Sequence, residues 1–120
     1  MEMFTFDRAE RSVTQHGSIG LTATRIAHGT GPSNGDGAFL AHLSVAAGGV
    51  VGTHPAMGPQ LFLVLTGAGW VAGPDRVRVP IAAGQGVRWE QGELHTSGTD
   101  TGFTALALDG PTLQLFAPES

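Results

Sequence analysis

The sequence predicts an all-β protein whose strands close into a barrel of the jelly-roll type. Nineteen glycines and seven prolines among 120 residues are typical of a chain with many tight turns. The hydrophobic residues, 41% of the total, fall mainly in short runs or alternate with polar residues. No helical pattern is longer than two turns. We therefore expect eight to ten short strands in a single domain spanning residues 1–120.

The first 28 residues are expected to form an N-terminal arm followed by one strand. Residues 4–16 show no clear period, so we predict only an arm that docks on the barrel or on a second subunit. Residues 19–27 alternate between apolar and polar side chains, as a half-buried strand does. The turn-forming residues at 29–37 then end this strand in a loop.

Residues 38–108 are expected to form the main barrel. The alternation in residues 39–45 places His42 on the face that points away from the core. Residues 61–65 and 103–108 are apolar on both faces, which indicates strands that are covered on both sides. The cleanest alternation lies in residues 76–81.

Composition excludes several classes of function. The chain has no Cys, Lys or Tyr, which excludes disulfides, thiolate zinc sites, Schiff bases and phenolic acids. The net charge of −4 and six scattered arginines give no basic patch, so we expect no nucleic-acid partner. No apolar run reaches the roughly 20 residues that span a bilayer, so we expect no membrane partner and a cytoplasmic protein.

Two separate stretches, residues 48–67 and 84–95, carry the most functional information. In an extended strand His54, Ala56 and Gln60 would project to one face, since they lie at positions i, i+2 and i+6. Glu93 and His95 are again two residues apart. Two strands from distant parts of the chain are therefore predicted to bring two histidines together.

The spacing in these two stretches resembles the paired motifs of the cupin family. The chain keeps the motif spacing at the following positions: Gly48, His54, Gln60, Gly67, Gly84, Gly92 and His95. It departs from the motif residues at four positions: Ala56 for histidine, Gln60 for glutamate, Glu90 for proline and Thr99 for asparagine. The resemblance covers about residues 38–108. It implies a small single-domain cupin, with the double-stranded β-helix or jelly-roll barrel of the RmlC-like superfamily.

The resemblance also implies a partly degenerate metal site. His54 and His95 correspond to family ligands, and Gln60 replaces a carboxylate by an uncharged amide oxygen, whereas Ala56 supplies no ligand. The cofactor implied is a divalent transition metal: iron, manganese, nickel, copper or zinc. Glu93 is a candidate additional ligand or a residue that supports the ligands. The alternative is that both histidines pack in the barrel mouth without metal.

A small organic molecule is the expected partner in the barrel. The candidate pocket residues are Ala56, Met57, Phe62 and Trp89. The resemblance allows dioxygenase, isomerase or decarboxylase chemistry, and whether the protein is an enzyme stays open. The alternative function is a non-catalytic small-molecule binder with a decayed metal site. A homodimer is expected in either case, and His16, His28 and His42 are interpreted as lone histidines outside the site.

Overall fold

A computed structural model describes residues 1–8, 10–30, 37–110 and 113–117. Within these ranges there are eight strands and one 3₁₀ turn, so the all-β prediction is confirmed. The strands are β1 (Arg11–Val13), β2 (Ile19–His28), β3 (Phe39–Pro55), β4 (Gln60–Ala72), β5 (Val79–Ala82), β6 (Gly86–Trp89), β7 (Leu94–Gly98) and β8 (Phe103–Asp109). The 3₁₀ turn spans Gln15–Gly17, between β1 and β2. In the described ranges no helix is long and apolar enough to cross a membrane.

The strands close into a barrel because two long strands each pair with two shorter ones. β3 pairs with β7 and β8, and β4 pairs with the same two strands, all antiparallel. The pairs therefore form a closed circuit, β3 to β8 to β4 to β7 and back to β3. β1 and β2 extend the sheet from β3, while β5 and β6 pair with β4. The predicted jelly-roll barrel is confirmed.

The glycine-rich segment near residue 48 lies inside a single strand. β3 continues through it as one element of 17 residues and changes partner along its length. Residues 39–45 pair with β8, whereas residues 50–55 pair with β7. Gly48 has a φ of +79°, a conformation that glycine adopts without the steric cost that other residues meet. β3 thus changes partner on either side of a residue whose backbone conformation suits glycine.

The core lies between the inner faces of the long strands. Its buried side chains are Leu21, Val45, Val51, Ala56, Phe62, Val64, Val71, Ile81, Trp89, Phe103 and Ala105. The outer face of β4 is less covered than predicted, because Leu63 and Leu65 keep 37% and 44% of their surface exposed. A single chain therefore covers only the inner face of this strand.

The N-terminal arm docks on the outside of β2 and β3. The ring of Phe6 packs against His42, with ring centroids 6.1 Å apart, so His42 lies on the outer face as predicted. The Thr24 hydroxyl, on β2, donates a hydrogen bond to the Arg8 carbonyl. Thr24 is only 1% exposed, so the arm both covers this hydroxyl and provides its hydrogen-bond acceptor. Of the predicted loop at 29–37, residues 31–36 lie outside the described residues.

The 3₁₀ turn is fixed by close contact with the backbone of β3. The Gly52 N–H donates a hydrogen bond of 2.9 Å to the Ser18 hydroxyl, which is buried. A side chain at Gly52 would overlap the backbone of His16. This contact holds the turn over one side of the barrel interior.

Candidate functional site

A cavity of about 430 Å³ lies inside the barrel. This volume falls near the lower end of the range, about 300–1,000 Å³, that is typical of small-molecule sites. Most of the wall is apolar, and a few polar side chains converge on it. The polar and charged residues of the wall are Arg11, Gln15, His16, Ser18, Arg25, His54, Gln60, His95, Ser97 and Asp109.

His54 and His95 lie side by side in this wall. They are direct partners in the pairing of β3 with β7, and their ring centroids are 4.3 Å apart at an angle of 60°. The prediction that two distant strands bring two histidines together is confirmed. A register shift between Val51 and His54 in β3 precedes this pair.

Backbone carbonyls fix the orientation of both imidazoles. The Nδ1 of His54 lies 2.7 Å from the Gly52 carbonyl oxygen, and the Nδ1 of His95 lies 3.1 Å from the Glu93 carbonyl oxygen. Because a carbonyl can only accept, Nδ1 carries the proton in both rings. Nε2 is then the nitrogen with a free lone pair in each neutral ring. Metal-binding histidines in proteins commonly have this support from an outer hydrogen bond.

The surroundings of His95 favour its neutral form. Burial lowers the pKa of His95, the hydrogen bond to the Glu93 carbonyl opposes this, and the charge that His54 can carry lowers the pKa further. The ring of Trp89 stacks on His95, with centroids 4.1 Å apart and planes 20° from parallel. His95 therefore offers a neutral imidazole at neutral pH, which is the form that binds metal ions.

Gln60 is hydrogen-bonded to an acidic residue in the cavity wall. Its side-chain nitrogen donates a 2.8 Å hydrogen bond to Oδ1 of Asp109, which lies opposite Gln60 in the pairing of β4 with β8. Burial raises the pKa of Asp109, while the bond from Gln60 and the nearby His54 oppose that rise. The amide oxygen is thus the atom of Gln60 that is available to a cation.

Asp109 is a cavity residue that sequence reasoning missed. In the sequence it precedes Gly110 and Pro111 and reads as the end of a strand. The signal that could have found it is the alternation of β8, because Ala107 and Asp109 are two apart and both line the cavity. The register that places Asp109 opposite Gln60 is not visible in the sequence.

His16 is the second residue that was missed, since it was interpreted as a lone histidine. Its ring stacks on His54, with centroids 5.3 Å apart and planes 20° from parallel, and it lines the cavity. His16 has a φ of +58°, which is uncommon for a residue with a side chain. The 3₁₀ turn places His16 at the cavity, so the alternation of a strand could not have predicted its position. His28 and His42 are not among the lining residues.

Two of the predicted site residues lie outside the cavity wall. Ala56 is 4% exposed and belongs to the buried core. Its backbone N–H donates a hydrogen bond to the Glu93 carbonyl, and its carbonyl accepts one from the Gly92 N–H. The Glu93 carboxylate accepts a hydrogen bond of 2.8 Å from the backbone N–H of Glu90, and its side chain does not line the cavity. The prediction that His54, Ala56 and Gln60 share one extended strand is wrong, because β3 ends at Pro55 and Gln60 begins β4. Glu93 lies just before β7, which begins at Leu94.

The other predicted pocket residues line the cavity. Phe62 and Trp89 form part of its buried wall, and their rings pack together with centroids 5.5 Å apart. Met57 lies at the rim, where it is 87% exposed. The cavity thus has two buried aromatic rings in its wall and an exposed thioether at its edge.

The donor groups fit a metal ion only in part. In the part of the chain that the structure describes, no group of three or more His, Cys, Asp or Glu side chains is placed to hold a metal. The adjacent imidazoles of His54 and His95 are suitable for two positions around a transition metal. A third protein ligand would be the amide oxygen of Gln60, which lacks the charge of a carboxylate.

Solved structures similar to this barrel are known, although sequence comparisons find no match. No protein-family model matches the sequence, and no curated protein matches it. A predicted oxalate decarboxylase from Thermotoga maritima is similar in structure, with a TM-score of 0.71 and 24% identity over 87% of this chain and 92% of that one. A cupin 2 conserved barrel domain protein from Salinispora arenicola has a TM-score of 0.70 and 23% identity, covering 92% of this chain and 88% of its own.

A third similar structure is an RmlC-like cupin from Shewanella frigidimarina. Its TM-score is 0.69 at 18% identity, with 93% of each chain covered. At identities below 25% these likenesses establish the fold, and the barrel of this chain is a cupin barrel. The expectation drawn from the motif spacing is therefore confirmed for the fold.

Proposed function

We propose that this cupin barrel binds one divalent transition metal through Nε2 of His54 and Nε2 of His95, and takes a small organic molecule beside it. The observation that carries the proposal is the pair of Nδ1 hydrogen bonds to the carbonyls of Gly52 and Glu93. These bonds leave the same nitrogen free in two adjacent imidazoles of one cavity. Gln60 would add a weak oxygen ligand.

The metal, when bound, would supply Lewis acidity or activate oxygen. The protein's own residues would provide three further functions. The apolar wall excludes water from the ligand, and Trp89 fixes the ring of His95. Gln60 orients the carboxyl group of Asp109, so that this group can hold or release a proton at Oδ1 or Oδ2 beside the ligand. Decarboxylation, isomerisation and dioxygenation are the reaction classes that the cupin resemblance allows.

Elemental analysis of protein purified without chelator or metal-affinity tag tests the proposal. We expect near one equivalent of iron, manganese, nickel, copper or zinc in the wild type. His54→Ala and His95→Ala should each lose it, because each removes a nitrogen ligand. His28→Ala is the matched control, since His28 is exposed and does not line the cavity. Metal content that neither site variant changes would refute the metal site.

A non-catalytic binder is the second candidate, and one observation favours it. The described donors near the cavity include no set of three ionisable ligands, and Ala56 is part of the core. Under this reading the barrel binds its organic ligand with no metal. Ligand affinity that is the same in wild type, in excess chelator and in His54→Ala would favour this candidate over the first.

We also propose that the protein is a homodimer that associates through the outer face of β4 and β8. Five leucines lie on this face: Leu61, Leu63, Leu65, Leu106 and Leu108. Leu61 is opposite Leu108 and Leu63 is opposite Leu106, so the side chains form a continuous apolar surface. Light scattering should give a dimer mass for wild type and a monomer mass for Leu63→Arg. Val77→Arg, at an exposed position away from these strands, should remain dimeric. A monomeric wild type would refute this proposal.

A further inference from the structure

Two arginines line the cavity on the side formed by β1, β2 and β3. Arg11 and Val13 of β1 share the face of β1 that lines the cavity, because they are two residues apart. Arg11 pairs with Ala23 of β2, and Arg25 lies two residues further along the same strand. Both arginines therefore line one edge of the cavity.

These two arginines differ in whether their charge is already neutralised. Glu10 accepts hydrogen bonds from both the backbone N–H and the Nε–H of Arg25. The side-chain bond from Arg25 also lowers the pKa of the Glu10 carboxyl, so Glu10 is ionised at neutral pH. Its charge is shared between Arg25 and Arg8, whose Nη2 lies 3.7 Å from Oε2 of Glu10. No carboxylate among the described residues forms an ion pair with Arg11. Arg11 thus lines the cavity, and no carboxylate of the described residues pairs with its charge.

The wall beside Arg11 is apolar. Val13 lies opposite Leu21, and Ala23 lies opposite Leu43 in the neighbouring strand pair. All four residues line the cavity together with Arg11. A ligand that suits this side needs an anionic group at the edge and an apolar body that follows the wall inward.

We propose that the organic molecule taken by this cavity is a small carboxylic acid with an apolar body, and that Arg11 binds its carboxylate. A planar guanidinium offers two parallel N–H donors, which match one carboxylate. One unpaired guanidinium suits this monoanion better than a phosphate group, which carries a charge of about −1.5 to −2 at neutral pH. The inference rests on the proposed function only in placing the ligand in this cavity, and it names the class of ligand.

Calorimetric titration with phenylacetate and with its neutral analogue phenylacetamide tests this inference. Metal-free protein, dialysed against chelator, keeps a metal ion from competing for the carboxylate, and low salt keeps screening small. Wild type should bind phenylacetate at least about tenfold more tightly than phenylacetamide, as expected for a charge-assisted hydrogen bond. Arg11→Gln should remove this preference and leave phenylacetamide binding unchanged.

Arg78→Gln is the matched control for the loss of one positive charge. Arg78 stacks on Trp70, with its guanidinium carbon 3.9 Å from the ring centroid, and it does not line the cavity. This variant should keep the preference for the acid. Arg11 itself is exposed on a three-residue edge strand, so Arg11→Gln should fold normally, and its melting temperature checks this.

Three results would overturn the inference. These are an unchanged preference in Arg11→Gln, equal affinity for the acid and the amide in wild type, and no binding of either compound. None of them bears on the metal site, which elemental analysis of His54→Ala tests separately. Conversely, an Arg11-dependent preference in a protein that never contains metal would support this inference and refute the metal proposal.

Discussion

Gly52→Ala tests the contact that holds the 3₁₀ turn over the cavity. A Cβ atom at this position would lie 1.9 Å from the His16 carbonyl oxygen and 2.6 Å from the His16 carbonyl carbon. It would also lie 3.2 Å from the Ser18 nitrogen. All three neighbours are backbone atoms, which cannot rotate away as a side chain can. Either β3 or the turn must move by about 1 Å to restore ordinary contact distances.

The cost of this movement can be estimated from two contributions. Overpacking of a buried position costs about 1–3 kcal/mol. The movement also breaks the buried bond from the Gly52 N–H to the Ser18 hydroxyl, which costs about 1 kcal/mol more. For 120 residues the entropy of unfolding is roughly 0.25 kcal/mol per degree, so each kcal/mol lowers the melting temperature by about 4 °C. We expect Gly52→Ala to melt about 8–16 °C below wild type.

Differential scanning calorimetry of Gly52→Ala and Gly58→Ala gives the comparison. Gly58 is the matched control, because a Cβ atom there would have no neighbour within 4 Å and its φ is not positive. Gly58→Ala should melt close to wild type or slightly above it, since alanine restricts the unfolded chain. If the two variants melt within about 2 °C of each other, the turn does not pack on Gly52 as described.

Two further predictions concern the pair of Asp109 and Gln60. Burial raises the pKa of Asp109 above 3.8 in the folded protein. The free energy of unfolding of the protein therefore falls as the pH rises through this raised pKa. Asp109→Asn keeps an oxygen that accepts from Gln60 but does not titrate, so it removes this loss of stability. Its melting temperature minus that of wild type should therefore rise between about pH 3 and pH 7, and a difference that does not change with pH would contradict this. Gln60→Glu removes the donor to Asp109 and sets two carboxylates together, which should cost about 1–3 kcal/mol in chelator at neutral pH by urea denaturation. Gln85→Glu is the matched control, because it keeps the oxygen that accepts a hydrogen bond from the Ala82 N–H. Its urea midpoint should equal that of wild type, and an equal loss of unfolding free energy in both variants would refute the reasoning.

Sequence reasoning predicted the barrel well because alternation and glycine turns are local signals. The convergence of His54 and His95 in one cavity also followed from the sequence, whereas their direct cross-strand pairing did not. The prediction of one extended strand through His54, Ala56 and Gln60 was wrong, because β3 ends at Pro55 and Gln60 begins β4. Glu93 likewise lies just before β7 begins, where strand alternation does not apply.

The rest of the candidate site depends on contacts between distant segments. Asp109 reaches Gln60 through the register between β8 and β4, and a one-residue shift would turn it to the opposite face. His16 reaches His54 because a turn with positive φ packs on Gly52. Neither the register nor the packing of that turn leaves a pattern in the sequence. The positions of Asp109 and His16 in the cavity wall were therefore less predictable than the strands.

The double pairing of β8 has a consequence for how the chain folds. β8 pairs with both β3 and β4, and its partner Phe39 lies 70 residues earlier than Asp109 in the sequence. Until β8 docks, β3 and β4 each have an unpaired edge, and such edges are prone to pair with other chains. Pairing across so long a separation is also slow. During synthesis the barrel interior can form only after residue 109 has left the ribosome, so the unfinished chain is the state most exposed to aggregation.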